Sequence, residues 1–188
     1  MKKIYIVTTF TGTLLSCLIR NISKTQDAHV SIALNEYLRP MYSFGRLNPK
    51  TPIFAGFVEE NINEGLYAIR TNTMCRVYSL MVTERQYEKL KENIDNVSIN
   101  RKQYVYDVKA LVYLSVNKPR KKDYKYVCSH FVADMLKRSE INILDKEPHQ
   151  VRPNDFYDLN DLELEYEGLL SNYYEKDKVH NIGDVVKI

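Results

Sequence analysis

Apolar positions along this chain recur with two periods, and the switches between them mark its elements. Lys3 to Val7 forms a short apolar run that passes into Thr8 and Thr9, and it predicts a strand. Beyond Thr11-Gly12-Thr13, the residues Leu14, Leu15, Leu18, Ile19 and Ile22 fall at helical spacing, with Thr11 or Thr13 able to cap that helix. Asp27 to Leu34 alternates: Val30, Ile32 and Leu34 point one way, His29, Ser31 and Ala33 the other. Asn35-Glu36 suits a turn and Met41 to Phe44 a returning strand. Arg46 to Asn72, punctuated by Pro49, Pro52, Gly56 and Gly65, reads as a long connection, either a lid or wall of a binding site or a cover over a sheet edge.

Met74 to Val82 predicts another strand. It leads into Thr83-Glu84-Arg85-Gln86, a capping box ahead of a helical stripe of Tyr87, Leu90, Ile94 and Val97. Tyr104 to Val116 predicts a further helix, and Lys118 to Lys122 a basic turn, solvated or in contact with an anionic lipid surface. Tyr126 to Leu136 carries the strongest helical pattern. Cys128, Phe131, Val132, Met135 and Leu136 share one face, so that face packs inward. Pro148 and Pro153 then punctuate a linker, and Asn154 to Leu159 makes a turn or two of helix. Leu162, Leu164 and Tyr166 alternate as a strand, and the tail from Ser171 is polar and loosely ordered.

Composition narrows the class. The 188 residues suit one domain; 44% are hydrophobic and 27% charged, as in an ordinary globular protein. A formal charge of +3 is too small to argue for nucleic acid. No window reaches the roughly 20 apolar residues of a membrane span, and Met1 to Val7 lacks the run and cleavage site of a signal peptide. Three widely spaced cysteines form neither a disulfide framework nor a zinc pattern, so no metal or other cofactor is expected and a reducing, cytoplasmic setting fits.

The candidate chemistry centres on Cys128. A cysteine in the first turn of a helix meets unpaired backbone N–H groups and the positive end of the macrodipole, which favour a thiolate nucleophile. His29, on a strand face with small neighbours, is the candidate general base. His130 lies about 200° around the helix from Cys128 and points away from the thiol face; a structural or solvent role follows. Cys17 has no charged partner nearby and reads as a packed helix residue. His149 and His180 have no motif around them.

Ala28-His29-Val30-Ser31-Ile32-Ala33-Leu34, followed much later by Cys128-Ser129-His130-Phe131-Val132-Ala133, resembles the circularly permuted NlpC/P60 proteins, papain-like cysteine hydrolases in which the strand histidine precedes the helix cysteine. Met41 to Gly45 and Asp155-Phe156 add to the likeness. The resemblance implies an α+β fold over residues 1–170, with 171–188 as a tail, in which the cysteine helix packs on an antiparallel sheet bearing the histidine. It also implies a third polar residue on the next strand, for which Ser43 is the nearest match and Glu36 a weaker one. Cys-x-His-Phe-Val is similar to the motif of the lecithin:retinol acyltransferase group, but Val127 replaces the usual asparagine. The implied mechanism is acyl transfer to Cys128, with His29 as base, Ser43 holding the imidazole and the Cys128 N–H stabilising the oxyanion. Three functions remain open: a cysteine peptidase or amidase, a lipid acyltransferase or thioesterase, and a non-catalytic binding module. The partner in each case is a small peptide-like or acyl-lipid molecule.

Overall fold

The computed structural model describes residues 1–12, 27–48, 51–115, 122–157 and 159–175. The expected helix containing Cys17, most of the basic turn and His180 lie outside these residues. Among the described residues, six antiparallel strands form the main sheet in the order β4-β3-β2-β1-β5-β8. They are β1 (Lys2–Phe10), β2 (His29–Ala33), β3 (Met41–Asn48), β4 (Thr51–Glu60), β5 (Met74–Val82) and β8 (Glu163–Leu169). β6 (Val105–Tyr106) and β7 (Lys125–Tyr126) make a separate short parallel pair. The helices are α1 (Gly65–Ile69), α2 (Glu84–Ile99), α3 (Val108–Ser115) and α4 (Cys128–Arg138).

Both faces of the sheet are buried, which explains why β1 reads as a continuous apolar run. Ile4 and Ile6 on β1, with Val30, Ile32, Phe44 and Leu80 on its neighbours, pack under Leu90, Ile94 and Val97 of α2 and Phe131, Val132, Met135 and Leu136 of α4. Tyr5 and Val7, on the alternate positions, pack with Ala33, Met41, Tyr67 of α1, Leu170 and Tyr173. A buried leucine or phenylalanine side chain stabilises the fold by about 1.5–3 kcal/mol, so the apolar stripe of α4 is a main anchor of the first core. α2 starts as its sequence indicates: Thr83 accepts from the Gln86 N–H, and the Gln86 side chain accepts from the Thr83 N–H.

Three expectations need correction. The stretch from Arg46 to Asn72 is not one long connection. β3 runs on to Asn48, β4 follows as the edge strand, and α1 comes after it. Pro52 is compatible with an edge strand, whose outer N–H groups need no ladder partner. The helix expected from Tyr104 begins only at Val108. Val105-Tyr106 pairs with β7 instead, and the Asp107 carboxylate then accepts the Ala110 N–H to cap α3. Finally, the segment after residue 170 is not loose throughout. Residues 170–175 form a 3₁₀ turn, and Tyr173 is buried with its hydroxyl donating to the Glu36 carbonyl at 3.0 Å. An aromatic body with a polar tip fills the second core while its hydroxyl keeps a partner.

Candidate active site

Cys128 is the first residue of α4. Val127 before it is extended and offers no side-chain cap, so the amide of Cys128 is not engaged by a capping side chain. The helix start is pinned from several sides. The Ser129 hydroxyl donates to the Val151 carbonyl at 2.5 Å, and the Tyr126 hydroxyl donates to Asp134 at 2.5 Å while accepting from Arg138. Lys137 and Arg138 in the last turn complement the helix dipole.

His29 opens β2. Its Nε2 lies 3.0 and 3.2 Å from the two carboxylate oxygens of Glu60, the last residue of β4. The Cys128 thiol interacts with the same imidazole and helps to raise its pKa. Glu60 also accepts from the Ser31 hydroxyl at 2.5 Å and from the Tyr67 phenol, which lies 3.4 Å from Thr9 Oγ1. Burial works against the imidazolium, but the Glu60 carboxylate and the interaction with Cys128 outweigh it and hold His29 well above its ordinary pKa. Burial likewise works against the Glu60 carboxylate, yet the neighbouring His29 and the hydrogen bonds from His29, Ser31 and Tyr67 lower its pKa. The two shifts point the same way, to a charged pair.

Gly45 makes room for this pair. A Cβ there would sit 3.3 Å from His29 Cε1 and 3.6 Å from Glu60 Oε1. It lies on the strand between His29 and Glu60, and Gly56 pairs with it from β4. The side chains of His29 and Glu60 thus meet over β3 at a position that carries no side chain.

A cavity of about 450 Å³ opens beside the pair. Its walls include His29, Glu60 and Tyr67 at one end, the aromatic rings of Phe44, Phe57 and Tyr106, and the cations Arg46 and Arg101. Cys128 is 5% exposed and lies behind this wall, interacting with two of its residues, His29 and Tyr106. Burial, followed by the Cys128 charge, pushes the Tyr106 phenol well above its ordinary pKa, so it stays a proton-bearing donor. The size is that of a small-molecule or short-chain site.

Of the three residues expected from sequence, the structure brings Cys128 and His29 together and sets Ser43 apart. The Ser43 hydroxyl donates to the Val30 carbonyl at 2.7 Å, inside the sheet, and has no contact with the imidazole. The physical reason is reach. Ser43 is buried between strands, where a short hydroxyl bonds the nearest carbonyl, whereas a glutamate one strand further out spans the glycine gap. Glu36 is in the turn after β2, and its backbone carbonyl serves Tyr173. His130 is not a solvent residue: it is buried with its ring 4.5 Å from that of Tyr126. The helix also approaches differently from the expectation. α4 lies on the Val30/Ile32 face, not the Ser31/Ala33 face, and its thiol meets His29 at the end of the sheet, where β2 and α4 both begin.

Glu60, Tyr67 and Tyr106 were missed by the sequence reading. Their signal lies in register: Gly45, with no side chain beside His29, leaves room for the carboxylate that reaches over from β4. No known family profile matches the chain, and no curated protein matches it. Fold and site together therefore define a class only, a mixed α+β protein with a buried thiol beside a half-buried imidazole and carboxylate.

Proposed function

We propose that the protein is a cysteine hydrolase, acting on an amide or ester through an acyl-enzyme on Cys128, with the permuted papain-like NlpC/P60 proteins as the model for its fold. One observation carries this reading: a thiol on the first residue of an eleven-residue helix interacts with an imidazole that is held in turn by a half-buried carboxylate. A base, a nucleophile and an orienting group in series are what acyl transfer requires.

In the proposed cycle the Cys128 proton resides on His29 as the imidazolium held by Glu60, and the thiolate sulfur attacks the substrate carbonyl carbon. The carbonyl electron pair moves to oxygen, where the Cys128 N–H at the helix start stabilises it. The C–N or C–O bond then breaks, and the imidazolium gives its proton to the leaving amine or alcohol. Water, losing a proton to His29, attacks the thioester, and the acid leaves as the thiol is reformed. Glu60 keeps the imidazole oriented and stabilises its cation at both stages. This role was expected of Ser43, whose hydroxyl would have done it more weakly.

A peptide-like amide is the first substrate class. An acyl ester or thioester is the second, and the apolar part of the cavity wall, Phe44, Leu47, Phe57 and Leu66, favours it. A cytoplasmic setting suits a free catalytic thiol; no helix among the described residues is long and apolar enough to cross a membrane. The test is trapping of the intermediate. Brief incubation with panels of activated peptide amides and of acyl esters, then acid quench and intact-mass analysis, should show one acyl adduct that maps to Cys128 and is absent in Cys128→Ser. No adduct from either panel on folded protein would leave the groove as a binding site and end the hydrolase reading.

A further inference from the structure

The short β6–β7 pair and the segments beside it form a face unlike the rest of the surface. Three apolar side chains stand out there: Val105 is 51% exposed, Val108 63% and Tyr124 56%. They are neighbours in space. The Val105 N–H donates to the Tyr124 carbonyl at 2.8 Å, Val105 pairs with Lys125, and Val108 opens α3 directly after β6. Leu47, 58% exposed, is at the adjoining mouth of the cavity, whose wall also contains Arg101 and Tyr106.

The charges around these apolar tips are mostly cationic. Arg101, Lys102, Lys109, Lys122 and Lys125 are all exposed, with Asp123 the exposed acid of the same segments and Glu59 and Glu64 exposed at the cavity wall. None of the five forms an ion pair with a described residue. Elsewhere Lys2, Lys3, Lys89, Lys137 and Lys146 each have a carboxylate partner. In sequence, Lys118, Arg120 and Lys121 add to the same basic stretch.

We infer that this face docks on an anionic phospholipid surface, with the cavity mouth at its border. Lysines satisfy the headgroup charge while aliphatic tips enter the headgroup–acyl boundary, and a tyrosine ring sits at the level between them. Of the four exposed apolar tips only Tyr124 offers a π face on which a nucleobase could stack, whereas Val105, Val108 and Leu47 are aliphatic, so single-stranded nucleic acid fits less well. The surface stands independently of the thiol chemistry, so its test has no activity readout.

The measurement is co-sedimentation of the full chain with phosphatidylcholine vesicles, with and without phosphatidylserine. Binding is expected only to the anionic vesicles and should weaken with added salt. Lys102→Glu with Lys125→Glu should lower it by at least about 25-fold, at about fivefold per surface lysine. Val108→Asn with Tyr124→Ser should weaken it further where salt already screens the charges. All four positions are exposed, and circular dichroism of each variant checks its fold. Cys128→Ser should bind as the parent does. Absence of binding, or binding unchanged in both double variants, overturns the inference. So does tighter, lysine-dependent binding to poly-uridine that leaves vesicles unbound.

Discussion

Two carboxylates, Asp27 buried and Glu60 half-buried, hold the start of β2, and the same three kinds of partner surround each. Asp27 accepts from the Thr8 hydroxyl at 2.7 Å, the Tyr157 phenol at 2.5 Å and the Arg76 guanidinium at 3.0 Å. Glu60 accepts from the Ser31 hydroxyl, the Tyr67 phenol and the His29 imidazole. The difference is the cation. A guanidinium never gives up its proton near neutral pH, so the Asp27 cluster can only brace the strand. An imidazole can take and return one, and the His29 cluster lies beside the Cys128 thiol and the aromatic-walled cavity, whereas Arg76 and Tyr157 of the Asp27 cluster line a separate cleft. The chain uses one recipe twice, once for anchorage and once for a group that can work.

Breaking the two clusters separately should separate these roles. His29→Ala should slow reaction at Cys128 by about 10² to 10⁴-fold, the usual loss for a general base, in turnover or in alkylation followed by mass spectrometry. Asp27→Asn should leave that reactivity largely intact but cost about 3 kcal/mol in urea unfolding, because it strips the carboxylate from a largely buried ion pair. Gly45→Ala comes next. Its Cβ would crowd His29 Cε1 and Glu60 Oε1, and a shift of a few tenths of an ångström should lower Cys128 reactivity by about threefold to tenfold. Ser43→Ala should have the smallest effect, about 1 kcal/mol of stability for one hydrogen bond and no change at Cys128.

The clusters should also differ in pH dependence. The pKa of Glu60 is lowered from 4.5 on folding, so its contribution is present above that value and fades as pH falls through the lowered one. That of His29 is raised from 6.5, so its contribution is fully present below 6.5 and fades as pH rises through the raised value. The pair therefore stabilises most between these two ordinary values. Arg76 is raised from 12.5 and brings no such fade near neutrality. Unfolding free energies at about pH 5.5 and about pH 9 should differ more in the parent than in Glu60→Gln.

Much of this was legible in the sequence wherever one local rule decides. The 3.6-residue stripe after Cys128 placed the thiol at a helix start, the Thr83–Gln86 box placed α2, and alternation from His29 placed β2. What escaped depends on pairing across strands. Thr51 to Glu60 shows no clean alternation and carries Pro52 and Gly56, so a strand looked like a loop. Its terminal carboxylate finds His29 only once the register of three strands is known. Of the two roles left open for His130 the structure selects the structural one: helical phase gives its direction away from Cys128, but not that Tyr126 closes over that side.

The most direct test of the central claim is the rate of iodoacetamide alkylation of Cys128 as a function of pH, resolved from Cys75 by peptide mass spectrometry. Burial pushes the Cys75 thiol up to about 12, so it serves as the unreactive internal control. If Glu60 holds an imidazolium beside the thiol, Cys128 should react at about pH 6 nearly as fast as at about pH 8. In Glu60→Gln its rate should fall steeply over that range, while Asp27→Asn should follow the parent. A parent rate that falls as steeply as that of Glu60→Gln, or an identical profile in the two, would contradict a Cys128–His29–Glu60 relay.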